Sequence, residues 1–485
     1  MLERAKAEEI QRQKQQGLGN PIISLEMQGH RLVAVKNRLL HSKGWKTFHD
    51  FLFDYMKMSL GSEWGTAEIK KPLAERHPLL VWYQKLCDFQ QTNFAPTPGQ
   101  VSFAPATGAV SAYLRLAYDL FALDHNAEVQ EKLLARLRNH DKFWGARYEV
   151  NVAAIFVRAG FTIEFEDESD RSTSHCEFTA THKRTGRKFS VEAKRREGNR
   201  LRIVRLFNDA LRKHANHARV IFIDINWPSP GGQQYPPYLV QAQARLRRLE
   251  AESGGPQRPP AYVFVTNTPF EHHLDEPMPP CAAIIDGFQI PDFKGGGTAP
   301  SLRHAIEARE RHIEMHDLMR SMEDHSSVPS TFDGDLPEYA FGKASTRIRI
   351  GERYMVPDAQ GIHRPAEVTS AVVMESQRSA FCIVKYDDGS AATCTMPLSD
   401  EELDAWRQHP DTFFGVVGQR TKPLNGALEV YDFFHGSCKG STKEALLEAM
   451  KGASDIQYLA TLTQPELASI RAERLAYGIL AATKT

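Results

Sequence analysis

Cysteine is scarce in this sequence of 485 residues, and its few positions are scattered. The six cysteines are Cys87, Cys176, Cys281, Cys382, Cys394 and Cys438. No two of them form a Cys-x-x-Cys pair, which argues against a disulfide framework and against a zinc ribbon. Such a pattern fits a protein of a reducing compartment.

The sequence also has no long apolar run and no excess of charge of either sign. No stretch approaches the roughly 20 apolar residues that a membrane-spanning helix needs, so no membrane partner is expected. The first residues, "MLERAKAEEIQRQKQQ", lack the apolar core of a signal peptide. Basic and acidic residues number 60 each, so an anion-binding surface requires local segregation of charge. We therefore expect a soluble, cytoplasmic protein.

Two common catalytic motifs are absent as well. The glycine-rich stretches "PGGQQ" and "KGGGT" are not followed by Gly-Lys-Ser/Thr, so no phosphate-binding loop and no nucleotide cofactor site are predicted. No Gly-x-Ser-x-Gly occurs, which leaves serine-elbow hydrolysis unsupported. The remaining candidates for catalytic groups are carboxylates and lysines.

Changes in residue pattern predict five segments along the chain. Apolar residues three and four positions apart in "FHDFLFDYMKMSL" and "AVSAYLRLAYDLFAL" predict helices near the N-terminus. Later, the glycines of "PDFKGGGTAP" indicate a linker, and Asp388-Gly389 within "FCIVKYDDGSAATCTM" indicates a hairpin turn. The predicted segments are an α-helical N-terminal domain at 1–140, an α/β domain at 141–290, a linker with a charged helix at 291–344, a small β-barrel-like module at 345–400, and a mixed, then helical, region at 401–485.

The segment 141–290 alternates between helical and strand patterns. "FWGARYEVNVAAIFVRAG" predicts a helix that ends at Gly160, and the strand patterns "FTIEFEDE", "HCEFTATH" and "KFSVEAKR" follow. A helix, the continuously apolar strand "RVIFIDIN", a further helix and the strand "AYVFVTN" complete the series. This α-β-β-β-α-β-α-β order predicts an α/β fold with helices on a mixed sheet.

The strand pattern "KFSVEAKR" places a glutamate and a lysine on the same face. Side chains alternate between the two faces of a strand, so Phe189, Val191 and Ala193 share one face. Glu192 and Lys194 share the other face, about 7 Å apart along the strand. The pair is either part of a functional site or an ordinary salt bridge on a surface hairpin, worth a few tenths of a kcal/mol.

A third charged group lies in the preceding strand pattern, "HCEFTATH". Glu177 alternates with apolar neighbours, and the turn "KRTGRK" allows a hairpin that brings Glu177 beside Glu192. Close carboxylates raise each other's pKa, and a divalent cation such as Mg²⁺ or Mn²⁺ removes that penalty. Asp167 or Asp170 would be the second acid if the pairing register differs.

The helix predicted at 143–160 contributes one more acid. Glu149 shares a helical face with Val152, Ala153 and Phe156, whereas the polar residues of this helix lie elsewhere. A glutamate on an apolar face needs a partner or a function. A position near the edge of the sheet that carries the candidate site would give this glutamate such a function.

This order of elements, with Glu-x-Lys on the third strand, resembles the PD-(D/E)XK nuclease superfamily, the restriction-endonuclease-like fold. The resemblance covers about 141–270 and implies an αβββαβ core with a mixed sheet. It departs from the usual pattern because Glu177 stands where the family has aspartate, and no proline precedes it. The longer acid weakens the implication of activity.

The resemblance also implies roles for individual residues. Glu177 and Glu192 would be metal ligands for Mg²⁺ or Mn²⁺, together with the backbone carbonyl of Ala193. Lys194 would be the lysine of the motif, and Glu149 would match the first-helix glutamate of many members. The implied activity is hydrolysis of phosphodiester bonds.

Local charge favours a nucleic-acid partner. Residues 183–219 contain thirteen lysines and arginines against three acids. A basic strip next to the candidate site is the electrostatic footprint expected for a phosphate backbone, although a solvated helix face would look the same. The predicted nucleic-acid contacts are Arg195, Arg196, Arg200, Arg202 and Arg205.

The sequence therefore predicts a metal-dependent endonuclease that acts on nucleic acid, with DNA the first expectation. The alternative is a non-catalytic nucleic-acid-binding protein with a degenerate nuclease fold, and a third reading is an interaction scaffold. A homodimer stays open, because cutting both strands of a duplex takes two sites. A protein partner that binds the N- or C-terminal domains stays open too.

Overall fold

The computed structural model describes residues 2–94, 104–127, 131–166, 175–198, 200–228, 237–252, 258–277, 279, 281–295, 301–335, 337, 348–358, 360–418 and 426–482. Within these residues the chain is mixed α/β and divides into two compact units. The first unit comprises Met1–Gly295 and Asp317–Gln419, and the second comprises Gly296–His316 and Arg420–Thr485. Among the helices that are described, none is long and apolar enough to cross a membrane.

A small antiparallel sheet lies in the N-terminal region. After helix α1 (Leu2–Gln16), strands β1 (Ile23–Met27), β2 (His30–Val35) and β3 (Arg38–Ser42) pair in that order. Gln28 and Gly29 connect the first two strands with φ values of 51° and 73°, the geometry of a tight two-residue hairpin. The alternation in "RLVAV" buries Val33 and Val35. The prediction of a purely α-helical domain at 1–140 is therefore corrected for these strands.

Helices form the rest of the described N-terminal region. They are α2 (Phe48–Leu60), α3 (Ser62–Ile69), α4 (Pro78–Asn93), α5 (Gly108–Asn126) and α6 (Glu131–Arg138). Thr47 and Asp50 form a capping box at the start of α2, which satisfies N–H groups that a helix start leaves unpaired. Aromatic packing joins α2 to α5, because the ring of Phe121 lies edge-on to Phe51 and Tyr55.

The next elements follow the order that the sequence predicts. They are α7 (Phe143–Arg158), β4 (Phe161–Phe165), β5 (Phe178–His182), β6 (Lys188–Arg195), α8 (Ile203–Leu211), β7 (Ala218–Asp224), α9 (Pro237–Ala251), β8 (Ala261–Asn267) and β9 (Ala282–Phe288). Gly160 follows α7 with a φ of 84°, as predicted for a glycine that ends a helix. The α-β-β-β-α-β-α-β order is confirmed, and β9 is an added strand.

These strands form one mixed sheet in the order β4-β5-β6-β7-β8-β9. β6, β7 and β8 run parallel, and the other neighbouring pairs are antiparallel. Helix α7 covers one face, where Phe156 packs against Phe222. Helices α8 and α9 cover the other face, where Phe207 and Leu239 cluster with Ile221. Because α5 also packs against α7, the first two predicted segments belong to one compact unit.

The predicted linker segment contains two helices, α10 (Leu302–Arg311) and α11 (Ile313–Asp324). Ser301 caps the first of them, because its hydroxyl oxygen accepts a hydrogen bond from the N–H of His304 at 3.2 Å. Glutamate and arginine are frequent in α10, so the predicted charged helix is confirmed within this segment.

The predicted β-module contains an antiparallel sheet of β10 (Arg353–Pro357), β11 (His363–Met374), β12 (Ser379–Tyr386) and β13 (Ala391–Pro397). The predicted turn at Asp388-Gly389 is confirmed, since Gly389 has a φ of 85° and lies between β12 and β13. Over 348–358 and 360–418 the strand order leaves β10 and β13 as edges, so the sheet is open and not a closed barrel. Helix α12 (Asp400–Gln408) packs Leu403 into the apolar core of this module. The helix thus helps to cover the apolar face of the open sheet.

The described part of the second unit is helical. It contains α10 and helices α13 (Ala427–Lys439), α14 (Lys443–Glu448), α15 (Ile456–Thr461) and α16 (Gln464–Ala482). Tyr431 of α13 packs with Ala472 and Ala476 of α16, and its hydroxyl shares a hydrogen bond of 2.9 Å with Ser469. The helical character predicted for the end of 401–485 is confirmed.

Candidate active site

The predicted glutamates and lysine meet near the carboxyl end of β6. Glu192 and Lys194 lie opposite Ile221 and Ile223 of β7 in the parallel register, so both side chains lie on the face that α8 covers. The Lys194 ammonium forms an ion pair with Glu192 Oε1, and it lies 4.0 Å from Glu177 Oε1. The structure thus brings these three predicted residues together.

Glu177 lies directly before β5, where backbone hydrogen bonds hold it in place. Its N–H donates to the carbonyl of Val191 at 3.0 Å, and its own carbonyl accepts from the N–H of Glu166 at 3.3 Å. The Glu177 side chain is 20% exposed, so this carboxylate is the more open of the two. Asp167 and Asp170, the alternative acids, lie outside the described residues.

Burial sets the electrostatics of this site. Glu192 is 1% exposed, and burial, followed by the negative charge of Glu177, raises the pKa of Glu192 to about 7. Burial alone would lower the pKa of Lys194, but the carboxylates of Glu192 and Glu177 outweigh it and raise that pKa. Lys194 therefore keeps its proton at neutral pH, whereas the Glu192 carboxyl of the metal-free protein binds its proton more tightly than an exposed glutamate does.

The donor set fits a divalent cation that is held partly by water. Apart from the Lys194 ammonium, which contacts Oε1, no described residue donates a hydrogen bond to the Glu192 carboxylate. One or two carboxylates suffice for Mg²⁺, which keeps several of its waters. A cage built of protein side chains alone is not supported, since no group of three histidines, cysteines or acids placed to hold a metal occurs within the described part of the chain.

Ala193 offers a backbone carbonyl beside the two carboxylates. Its side chain points to the opposite face of β6 and is 6% exposed. Alternate carbonyls of a strand point to the same edge, so the carbonyl of Ala193 faces the same edge as that of Val191. The Val191 carbonyl bonds Glu177, and the Ala193 carbonyl therefore faces the side on which Glu177 lies.

Glu149 of α7 is turned into the protein, as its apolar helical face predicts. It is 9% exposed, and its neighbour Val152 on that face is fully buried. The guanidinium of Arg136, on α6, pairs with Glu149 Oε1. The charge of Glu149 also contributes to the raised pKa of Lys194. Its position fits a supporting, electrostatic role at the site.

Two arginines that the sequence assigns to nucleic acid have internal partners instead. Arg195 points to the face opposite the site, where its Nη2 lies 2.8 Å from Glu271 Oε1 and its guanidinium lies 4.6 Å from the Trp144 ring. Arg196 is 6% exposed and donates to backbone carbonyls, including that of Asn226 at 2.5 Å. The prediction that Arg195 and Arg196 face a phosphate backbone is therefore corrected, because their charges are used within the protein.

The other three predicted arginines are exposed. Arg200 and Arg202 lie between β6 and α8, and Arg205 lies on α8 with 69% of its side chain exposed. Arg205 approaches Asp209 at 3.7 Å, and an ion pair as exposed as this one contributes little to stability. All three occupy the surface positions that contacts with phosphate require.

Sequence reasoning missed the loop that follows α8. The positive charge of Lys213 in this loop lowers the pKa of Glu192, against the larger effect of burial. The next residue, His214, accepts a hydrogen bond from Cys176 Sγ at 3.3 Å, which brings the loop next to the segment of Glu177. Lys213 belongs to the predicted basic strip, but nothing in the strip indicates which lysine faces the carboxylates.

The raised pKa of Glu192 predicts a pH-dependent stability. A carboxyl that binds its proton more tightly in the folded state stabilises folding below its unfolded pKa of 4.5, and this contribution is lost as pH rises to about 7. The loss amounts to at most about 3 kcal/mol. Urea unfolding in EDTA from pH 4.5 to pH 8 should therefore show wild type losing stability relative to Glu192→Gln. Parallel curves for the two proteins would contradict the raised pKa.

Comparisons with protein-family models, curated proteins and solved structures find no match for this chain. The likeness to PD-(D/E)XK nucleases consequently rests on the order of elements and on the arrangement of Glu177, Glu192 and Lys194.

Proposed function

We propose that this protein is a metal-dependent nuclease that hydrolyses phosphodiester bonds, with DNA as the expected substrate. The observation that carries the proposal is the convergence of Lys194 with Glu177 and the almost fully buried Glu192. Two carboxylates share the single charge of Lys194, so one negative charge of this site stays uncompensated, which costs free energy unless a further cation offsets it. Groups with strongly perturbed pKa values, held in place at such a cost, are typical of functional centres.

Each residue has a role in this proposal. Glu177 and Glu192, with the carbonyl of Ala193, would hold Mg²⁺ or Mn²⁺, and a bound divalent cation supplies Lewis-acid activation of water. Lys194 stays protonated because its pKa is raised, so it orients water and stabilises negative charge on the phosphoryl oxygens. Glu149 supports the Lys194 charge. Water adds to phosphorus, one phosphorus–oxygen ester bond breaks, and the displaced oxygen takes a proton.

Substrate binding is assigned to exposed basic residues that follow β6 in the sequence. Arg200, Arg202 and Arg205 are the predicted residues whose exposure suits contacts with phosphate. Such contacts position the substrate without reading its sequence. A homodimer would supply the two sites that a double-strand cut needs, and the N- or C-terminal regions would recruit a protein partner.

The test is cleavage of plasmid and single-stranded DNA with Mg²⁺ or Mn²⁺, beside EDTA controls and the variant Lys194→Ala. We expect metal-dependent cutting by wild type and a loss of about 10²- to 10³-fold in the variant, because a charge that stabilises the transition state is removed. A circular dichroism melt establishes that the variant is folded. Metal-independent cutting, or a Lys194→Ala variant as active as wild type, would refute this site.

The second candidate function is nucleic-acid binding without cleavage. It is favoured by one observation, the glutamate at Glu177 where the related pattern has an aspartate. In that case wild-type protein would bind DNA in a salt-dependent manner and leave it intact with either metal. The same samples decide between the two functions when binding and cleavage are measured side by side.

A further inference from the structure

The outer surface of helix α8 carries a row of charged residues. Ile203, Phe207 and Ala210 are buried against the sheet and α9, which fixes how the helix is turned. The residues at the other side recur three or four positions apart, as neighbours on one helical face do. They are Arg202, Arg205, Asp209 and Arg212.

A groove of about 450 Å³ runs along this row, and α9 contributes to its lining. Arg245 of α9 donates from Nη1 to the carbonyl of Leu201 at 2.7 Å, which ties the two sides of the groove together. The side chains of Arg205 and Arg212 are 69% and 78% exposed. Both guanidiniums are therefore open to a ligand from solvent.

Positive charge dominates the groove. Among the described residues that line it, four are arginines and Asp209 alone is acidic. Asp209 lies 2.9 Å from Arg212 and 3.7 Å from Arg205, so one carboxylate is shared between two guanidiniums. The chain as a whole has no net charge. The excess of arginine in the groove is therefore a local segregation of positive charge, which attracts anionic partners.

We propose that this groove on α8 and α9 is a binding site for consecutive phosphate groups of a nucleic-acid backbone. The proposal rests on the proposed function only in taking nucleic acid as the partner. From Arg202 to Arg212 the chain advances about 15 Å, which covers about four steps of the 3.4 Å rise per charge that one strand shows along the axis of a duplex. A row of guanidiniums matches such a polyanion better than it matches a single phosphate ion. Arg212 and Arg245 thereby join Arg202 and Arg205 as phosphate contacts.

The experiment compares two double variants that lose the same charge. Arg205→Gln/Arg212→Gln changes the groove. Arg378→Gln/Arg407→Gln removes two exposed arginines that pair with acids in the β-module and its helix α12. Anisotropy of a fluorescein-labelled duplex of about 30 base pairs, and of one of its strands, is measured in EDTA over a series of salt concentrations. EDTA keeps the probe intact, and thermal melts check the folding of each variant.

We expect the groove variant to lower the slope of log affinity against log salt by about two. Its affinity at 0.1 M salt should fall about tenfold or more, with the control variant close to wild type. Asp209→Asn should do the opposite and tighten binding, because it releases two guanidiniums from their carboxylate. Equal slopes and affinities in the groove and control variants would overturn the proposal, as would a wild-type protein that binds neither probe.

The two experiments distinguish failure of the groove proposal from failure of the nuclease proposal. Binding that is lost in Arg205→Gln/Arg212→Gln, in a protein that never cuts DNA, supports the groove and removes the nuclease. Metal-dependent cutting that Lys194→Ala abolishes, in a protein whose groove variant binds and cuts as wild type does, removes the groove and supports the nuclease.

Discussion

Replacing Glu192 by glutamine is expected to lower metal-dependent cleavage about 10²- to 10³-fold while making the metal-free protein more stable at pH 8. The cleavage is lost because an amide is a poor ligand for Mg²⁺, which prefers carboxylate oxygens. Stability rises because burial and repulsion by Glu177 outweigh the attraction of Lys194 and raise the pKa of Glu192, so that its ionised form costs free energy at pH 8. Opposite changes in activity and stability are what a residue kept for function produces.

Thermal melts with and without Mg²⁺ provide a readout apart from activity. Metal that binds only the folded protein raises the melting temperature by mass action, worth about 2.7 kcal/mol at a hundredfold excess over Kd. Wild type should show this shift, and Glu192→Gln should lose most of it. Glu164→Gln is the matched control, because Glu164 is an exposed residue of β4, an edge strand of the same sheet. A variant that still cuts and still responds to Mg²⁺ would rule out Glu192 as a ligand.

Alternation along single strands made the centre of the site predictable. In "KFSVEAKR" the period of two places Glu192 and Lys194 together on one face, and the structure brings them into ion-pair contact. The same rule places Arg195 on the opposite face, away from any substrate at Lys194. The count of basic residues in the strip did not show this, because a count does not say to which face of the strand each side chain points.

Partners that are distant in sequence could not be predicted. Arg195 is held by Glu271, which lies on a short helical turn beyond β8, and Glu149 is paired with Arg136 of α6. Each of these contacts depends on how whole elements pack, which neither spacing nor composition specifies. The hairpin at Gln28 was missed for a different reason. Its turn lacks the Asn-Gly or Asp-Gly signature that marks such turns most clearly.

A second large effect is expected at the junction of α5 and α7, on stability alone. Arg158→Met should destabilise folding by about 3–5 kcal/mol. Arg158 and Asp119 are 2% and 1% exposed, and Arg158 Nη1 lies 2.7 Å from Asp119 Oδ1. Methionine retains much of the aliphatic stem but removes the guanidinium that contacts the buried Asp119 carboxylate, although the positive charges of Arg115 and Arg147 stay in its neighbourhood. Urea unfolding at neutral pH measures the change.

The exposed arginine on α8 provides the control for this prediction. Arg205→Met should alter the free energy of unfolding by no more than about 0.5 kcal/mol, because that side chain is 69% exposed. A loss below about 1 kcal/mol in Arg158→Met would show that water or a rearranged neighbour satisfies Asp119. The remaining hydrogen bond, from Asn151 Nδ2 to Asp119 Oδ2 at 2.8 Å, is a neutral donor and does not replace a guanidinium.

The double variant Asp119→Leu/Arg158→Met separates the cost of a stranded charge from the value of the ion pair. Replacing both members of a buried pair by apolar groups is often neutral or stabilising, whereas removing one member strands the other. We therefore expect the double variant to be more stable than Arg158→Met, although it carries more substitutions. The pair contributes no side chain to the proposed metal site, so a folded double variant should still cleave DNA with Mg²⁺. If the double variant loses as much stability as Arg158→Met or more, the stranded Asp119 carboxylate is not the source of the loss, and the desolvation argument fails.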